Sequence, residues 1–145
     1  MDTYTKDTLL NTRIGAIWTE AEIAYVIIHV CNGHTRSKIA MLLNRSIGGI
    51  KYVLTLYAAR YLCQSGVNKI VLMDLLKITI SELGNANTMR LKSAALAIRN
   101  GSGTAIIDFN LTDRDLSVIN HVNSLTNINI NISTNINIST NINIS

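Results

Sequence analysis

Apolar residues recur at helical intervals through most of the chain. Thr19 and Glu22 have the spacing of a capping box, in which each of the two residues satisfies a backbone N–H of the other. Ile23, Ile27 and Val30 then follow on one helical face. The pattern predicts a first helix that begins after Thr19 and buries this face.

Two more helices are predicted directly after the first. Thr35 is a favoured capping residue, and Ile39 lies on the apolar face of the helix that follows it. Asn44 is predicted to form a turn, and Ser46 to cap a third helix. The third helix is predicted to bury a stripe made of Ile47, Ile50 and Leu54.

The helical pattern continues beyond this point. A Ser-Gly break at 65–66 precedes a short helix from Lys69 to Leu76, and a longer helix is predicted to end at the Asn-Gly pair 100–101. Residues 104–109 are predicted to form one short strand, and residues 112–115 to begin a last helix. The predicted fold class is mainly α, with at most this one strand.

The predicted organisation has four parts. A polar arm covers residues 1–17, a three-helix unit 18–57, and a second helical unit 58–125. The tail, 126–145, repeats Asn-Ile-Asn-Ile-Ser-Thr and has the alternation of a strand. We interpret the tail as a repeat extension without chemistry of its own; the alternative is a strand that pairs with another copy of the chain.

Positive charge is concentrated in the middle of the chain. Between Arg36 and Arg99 there are ten basic residues and two acidic ones, a net +8, whereas the whole chain has a net charge of +4. A basic segment favours a polyanionic partner, of which nucleic acid is the commonest. The alternative is a solvated basic surface that only aids solubility.

The three-helix unit resembles a known class of DNA-binding module. It has a Trp-Thr start at 18–19, acidic residues in the first turn, Ile-Ala at 39–40 and Leu-Asn-Arg-Ser at 43–46. These features are similar to the homeodomain-like Myb/SANT class of bacterial and phage proteins, including the GcrA-type cell-cycle regulators. The resemblance covers about a quarter of the chain. It implies a helix-turn-helix whose recognition helix, about 46–57, enters the major groove of double-stranded DNA.

This resemblance implies a set of DNA contacts. Lys51, Tyr52 and Thr55 share the face opposite the predicted apolar stripe, and two glycines let the start of the helix approach DNA closely. The predicted contacts are Arg36, Lys38, Arg45, Ser46, Gly48, Gly49, Lys51, Tyr52 and Thr55. Additional phosphate contacts are predicted at Arg60, Lys69, Lys77, Arg90 and Lys92. Trp18 is predicted to pack between the helices as a core anchor.

The recognition helix departs from the pattern of this class in one respect. Two glycines lie at its start and Leu-Tyr-Ala at 56–58 is apolar, where polar or basic side chains are usual. The alternative function is therefore a helical protein–protein interaction adaptor without direct sequence-specific DNA recognition. Residues 59–83 also resemble, faintly, the helix-turn-helix of FlhC-type master regulators. That family's cysteine zinc site is missing, since no cysteine follows Cys63.

The sequence offers no catalytic constellation. The Cys-Asn-Gly-His segment at 31–34 lacks the paired ligand spacing of a zinc site, and 101–103 lacks the lysine of a phosphate-binding loop. We therefore expect no enzyme activity, metal or cofactor. With no signal peptide or spanning segment visible, we expect a cytoplasmic transcription regulator that does not enter a membrane. RNA polymerase or another regulator is a candidate partner, and dimerisation through 58–125 is a further hypothesis.

Overall fold

The computed structural model describes residues 13–134, with side chains described as far as Leu125. This part of the chain is helical and contains no strand, which confirms the predicted α class. The helices are α1 (Glu20–Cys31), α2 (Arg36–Leu43), α3 (Ile47–Leu62), α4 (Lys69–Leu76), α5 (Ile80–Arg99), α6 (Ala105–Asp108) and α7 (Asp113–Thr134).

The helices form two compact units, and the chain passes between them more than once. The first unit contains residues 13–58 and 68–86, and the second contains residues 59–67 and 87–134. The division at 58–59 lies close to the boundary predicted after Tyr57. However, α4 and the start of α5 belong with the first unit, so α3 and α5 each contribute to both units.

The predicted capping residues begin the helices of the first unit. The Thr19 hydroxyl accepts a hydrogen bond from the Glu22 N–H at 3.1 Å, and the Glu22 carboxylate accepts one from the Thr19 N–H at 3.1 Å. The Thr35 hydroxyl caps α2 by accepting from the Lys38 N–H, and the Asn68 side chain accepts from two N–H groups of α4. These bonds satisfy backbone donors that have no partner within a helix.

The core of the first unit is aliphatic. α1 packs against α2 and α4, and its Val26 is fully buried. α3 contributes Ile50, Val53 and Leu54, each no more than 1% exposed. Ile47, which was predicted to share their buried stripe, is 53% exposed, so that prediction is wrong. It is the first residue of α3, and burial along this helix begins only at the following turn.

The second unit has a core of small and branched side chains. Ala94 and Ala95 of α5 are buried with Ile119 of α7, and Leu91, Ile98, Phe109 and Leu111 pack around them. The tight spacing of alanines lets two helices approach closely, because an alanine side chain is short.

One prediction for the C-terminal part is wrong, and the alternative interpretation of the tail does not hold where the structure describes it. Residues 104–109 contain the short helix α6 instead of a strand, because Ala105 turns inward and the Thr104 hydroxyl donates to the Asp108 carboxylate at 2.6 Å. The first tail repeat, 129–134, continues α7, so it is not a strand there. Neither glycine nor proline interrupts this segment. The rest of the tail, 135–145, lies outside the described residues.

Within residues 13–134, one helix–turn–helix connection occurs three times, at intervals of 33 residues. Asn44, Lys77 and Asn110 each have a left-handed backbone, with φ of 56°, 55° and 51°. In each case the next residue donates its N–H to the carbonyl five positions earlier, and a Ser or Thr then caps the following helix. Buried positions repeat at the same interval, as in Ile39, Leu72 and Ala105. This repeat was not predicted from the sequence.

Candidate nucleic-acid interface

The first of these connections joins α2 to α3, at the place predicted to be the helix-turn-helix. The Arg45 N–H donates to the Ala40 carbonyl at 2.9 Å, which ends α2. The Ser46 hydroxyl then accepts from the Gly49 N–H at 2.9 Å, which begins α3. Asn44, the first of the three residues that connect α2 to α3, has a left-handed backbone. The start of α3 is thereby presented to solvent.

The outer face of α3 carries part of the predicted contact set. Gly48 and Lys51 are exposed, and Tyr52 is 49% exposed. Ser46 and Lys38, near the helix starts, are also exposed. Thr55 is only 8% exposed and donates its hydroxyl to the Lys51 carbonyl at 2.9 Å. Thr55 is therefore a buried residue with an internal partner, and we withdraw it from the predicted contacts.

The glycine at position 49 is explained by packing within the protein and not by contact with a ligand. A Cβ at this position would lie 3.2 Å from the Trp18 ring and 3.2 Å from the Ser46 hydroxyl oxygen. The absence of a side chain lets the half-buried Trp18 pack against the first turn of α3. Close approach of DNA is therefore not the reason for glycine at position 49.

Arg45 is the most deeply buried of the predicted phosphate contacts. Its side chain is 1% exposed and its guanidinium lies 4.1 Å from the centre of the Trp18 ring. It donates to both carboxylate oxygens of Glu22, at 2.8 and 3.1 Å, and to the carbonyls of Arg13, Ala16 and Ile17. Arg45 holds the segment before α1 in place, so the prediction that it contacts phosphate is wrong.

The environment of Glu22 is strongly cationic. Hydrogen bonds from Arg45 and then from Arg13 hold the pKa of the Glu22 carboxyl well below its usual range, although burial alone would raise it. The same carboxylate accepts from the Thr19 N–H, so it begins α1 and binds two arginines at once.

A second arginine, Arg36, is also engaged inside the first unit. It donates to both oxygens of Glu82 at 2.7 and 2.8 Å and to the Lys77 carbonyl at 3.3 Å. The pKa of Glu82 falls to about 2, chiefly because of the hydrogen bonds from Arg36; the charge of Lys51 also lowers it. Lys51 is thus within electrostatic range of the first turn of α5. Arg36 has a structural partner and is not a free phosphate contact.

The additional predicted phosphate contacts also include one buried arginine and several exposed residues. Arg90 is 8% exposed and donates to the Phe109 and Asn110 carbonyls, to Asn87 and to Asp115, so it too is wrong as a phosphate contact. The remaining members of that set are exposed: Arg60, Lys69, Lys77 and Lys92.

The three engaged arginines share an arrangement that the sequence analysis missed. Each binds the acidic residue of a capping box, at Glu22, Glu82 or Asp115, from a position distant in sequence. At Asp115, burial opposes a low pKa, but hydrogen bonds from the Thr112 N–H and from Arg90 lower it overall. The signal in the sequence was the Thr-x-x-acid spacing at 79–82 and 112–115; the identity of the arginine partner was not encoded locally.

The histidines near the end of α1 pack against one another. The rings of Tyr25 and His29 stack at 3.7 Å, and His34 lies 5.2 Å from His29. Across residues 13–134, no group of three or more His, Cys, Asp or Glu side chains is arranged to hold a metal ion. Within the same range, no helix combines the length and apolar character needed to cross a membrane.

Comparisons of the chain with protein-family models, with curated proteins and with solved structures found no match.

Proposed function

We propose that this chain is a DNA-binding transcription regulator that inserts the start of α3 into the major groove of double-stranded DNA. The observation that carries the proposal is the solvent-facing surface of α3 behind a three-residue turn. Ile50, Val53 and Leu54 hold one face of the helix in the core, while Lys51 and Tyr52 project from the other. Recognition helices contact base edges with residues near their N-terminus, where these side chains lie.

The balance of exposed charge supports an anionic partner. In the described part of the first unit, arginines neutralise the two half-buried or buried carboxylates, Glu22 and Glu82. The exposed acids of that unit are Glu20 and Asp74. Its exposed lysines outnumber them and are Lys38, Lys51, Lys69 and Lys77. Lysines of this kind contribute affinity by releasing counterions from the phosphate backbone.

A revised contact set follows from burial. Lys38, Ser46, Gly48, Lys51 and Tyr52 remain as candidate contacts. Lys51 is the candidate for a guanine edge or a phosphate, and Ser46 and Lys38 for phosphates beside the groove.

The alternative function, a protein–protein interaction adaptor, is favoured by a specific observation. Large apolar side chains are exposed on several helices of the first unit. They include Met41 at 68%, Ile47 at 53%, Ile70 at 79% and Ile80 at 77% exposed. Large exposed apolar side chains are enriched at surfaces that bind another protein.

The test is selection of the full chain on a random-sequence duplex pool at low and at physiological salt. We expect a sequence motif to be enriched and the affinity to fall steeply with salt. Lys51→Ala should abolish the preference at one position of the motif, or reduce the salt slope by about one if the lysine contacts phosphate. Arg114→Ala removes one exposed charge from α7 and is the matched control.

Three outcomes separate the hypotheses. Motif enrichment that Lys51→Ala alters and Arg114→Ala does not supports the proposal. Retention without a motif would leave DNA binding but exclude base recognition by α3. A chain that is retained at neither salt does not bind DNA, and the adaptor hypothesis would then replace this one.

A further inference from the structure

The connection between α4 and α5 repeats the connection between α2 and α3 in detail. Lys77 has φ 55°, against 56° at Asn44. The Ile78 N–H donates to the Met73 carbonyl at 3.2 Å, as Arg45 does to Ala40. Thr79 accepts from the Glu82 N–H at 3.1 Å, as Ser46 does from Gly49. The helix α5 therefore follows α4 as α3 follows α2.

One buried position in each helix of the two pairs corresponds at the same interval of 33 residues. Leu72 of α4 is 3% exposed and lies 33 positions after the fully buried Ile39 of α2. Ala86 of α5 is fully buried and lies 33 positions after Val53 of α3, which is also fully buried. Because Val53 and Ala86 correspond, the exposed positions one and two residues before each of them correspond as well.

The outer face of α5 carries side chains suited to base recognition. Ser81, Gly84 and Asn85 lie 33 positions after Gly48, Lys51 and Tyr52, and all three are exposed. Their spacing of three and four residues places them on one face of the first turns of α5. Asparagine binds adenine through two hydrogen bonds, and serine donates to or accepts from several base edges. A Cβ at Gly84 would meet nothing within 4 Å, so the helix surface is open there.

Charge around the start of α5 suits a polyanion. Lys77 is exposed in the turn and Lys69 at the start of α4. The acidic residue of this turn, Glu82, is neutralised by Arg36 at 2.7 Å, so it does not leave an uncompensated negative charge beside a phosphate. The charge of Lys51 also lowers the pKa of Glu82, so the carboxyl at this turn is held in its charged form by two basic residues.

We propose that α5 is a second DNA-recognition helix, in which Ser81 and Asn85 contact base edges and Lys77 contacts the phosphate backbone. This inference rests on the proposed function, because it assigns a second block of bases to the same double-stranded DNA partner. The chain then recognises a site composed of two blocks, one contacted by α3 and one by α5.

The experiment compares three forms of the full chain in the same duplex selection. The first is the unaltered chain, the second carries Ser81→Ala and Asn85→Ala, and the third carries Ser117→Ala and Asn120→Ala. The third is a matched control: it removes the same side-chain types from exposed positions of α7. The first turn of α7 carries the exposed Asp113, whose charge repels phosphate.

We expect the α5 variant to lose preference in one block only. Its affinity for the selected site should fall roughly ten- to a hundredfold, while its affinity for random duplex changes little. The control should match the unaltered chain, and Lys51→Ala should affect the other block. Circular dichroism of each variant confirms that exposed substitutions leave the helices intact.

The failures of the two proposals are distinguishable. If the unaltered chain enriches a motif and the α5 variant enriches the same motif with both blocks, α5 is not a recognition helix and the function assigned to α3 stands. If the unaltered chain is not retained on duplex DNA at either salt, both proposals fall together.

Discussion

Two adjacent glycines at the start of α3 have different surroundings. A Cβ at Gly48 would lie 3.9 Å from the Ser46 hydroxyl, an ordinary contact, whereas one at Gly49 would lie 3.2 Å from both Ser46 and Trp18. Trp18 is itself held beneath the Arg45 guanidinium, so it has little freedom to shift. Packing therefore explains the glycine at position 49 but not the glycine at position 48.

This contrast predicts opposite effects of alanine at the two positions. Gly48→Ala should stabilise the chain by about 1 kcal/mol, because alanine favours a helix over glycine. Gly49→Ala should destabilise it by about 1 kcal/mol, because the strain of overpacking exceeds that gain. Urea unfolding followed by circular dichroism measures both. Equal stabilisation by the two substitutions would mean that Trp18 does not pack against Gly49.

Residue type alone was a poor guide to which charges are available for binding. Arg36, Arg45 and Arg90 lie in the basic segment beside lysines that are exposed. All three arginines bind acids and carbonyls instead, because a planar guanidinium satisfies several acceptors at once when it is buried. The lysines stay in water because a buried ammonium has no such set of partners.

At the scale of the helices, local signals were reliable where capping chemistry decides the boundary. Thr19, Thr35 and Ser46 were each predicted to begin a helix, and each does. Their hydroxyls bind backbone donors within three residues, so no distant residue is needed. The segment 104–109 failed because a short apolar run has no period that separates a strand from a helix.

The Arg45 cluster predicts how the N-terminal segment is attached to the helices. Arg45→Met should lower the free energy of unfolding by roughly 3 kcal/mol, because it removes one partner of a buried ion pair and takes one donor from each of three carbonyls. Combining it with Glu22→Gln should cost less than the sum of the two changes, since the residues interact directly. Denaturant unfolding provides the free energies.

The control for this cycle is Arg60→Met, which removes an exposed arginine from α3. Its effect should stay within about 0.5 kcal/mol. Additive losses from the Arg45 and Glu22 substitutions would contradict the direct pairing of the two side chains.

At the scale of the whole molecule, we expect low pH to destabilise the fold, because the carboxylates that bind arginines become protonated. The pKa of Glu82 is lowered to about 2 from the ordinary value of 4.5, because Arg36 hydrogen-bonds to its charged form. A carboxyl whose pKa is lower in the folded state stabilises the fold above about pH 4.5, and this contribution disappears as the pH falls towards 2.

Glu82→Gln should therefore reduce stability at neutral pH and reduce the loss of stability between about pH 4.5 and pH 2. The measurement is the unfolding midpoint across that range for the variant and the unaltered chain. Glu20→Gln, at an exposed acid in the same unit, is the control. A variant whose pH profile parallels that of the unaltered chain would show that the Arg36–Glu82 pair does not stabilise the fold.

The repeat of 33 residues was present in the sequence but was not recognised there. Leu-Leu occurs at 42–43 and 75–76. Each time a left-handed residue follows directly, and a Ser or Thr cap lies three positions after the second leucine. Similarity between copies is confined to the turn and a few buried positions. Side chains on the outer faces differ freely, since packing does not constrain them, and this hides the period in the full sequence.

Two similar segments of the chain show what the sequence determined and what only the tertiary structure decided. Residues 14–17 are Ile-Gly-Ala-Ile and residues 47–50 are Ile-Gly-Gly-Ile. The later segment begins α3, whereas the earlier one forms a turn in which Gly15 has φ +83°. Local sequence determined the capped helices and the three turns, because those hydrogen bonds close within a few residues. The turn at 14–17 has one local hydrogen bond, from the Ala16 N–H to the Arg13 carbonyl, and tertiary structure adds Arg45, whose buried guanidinium binds the carbonyls of Ala16 and Ile17 from a distant position in the chain.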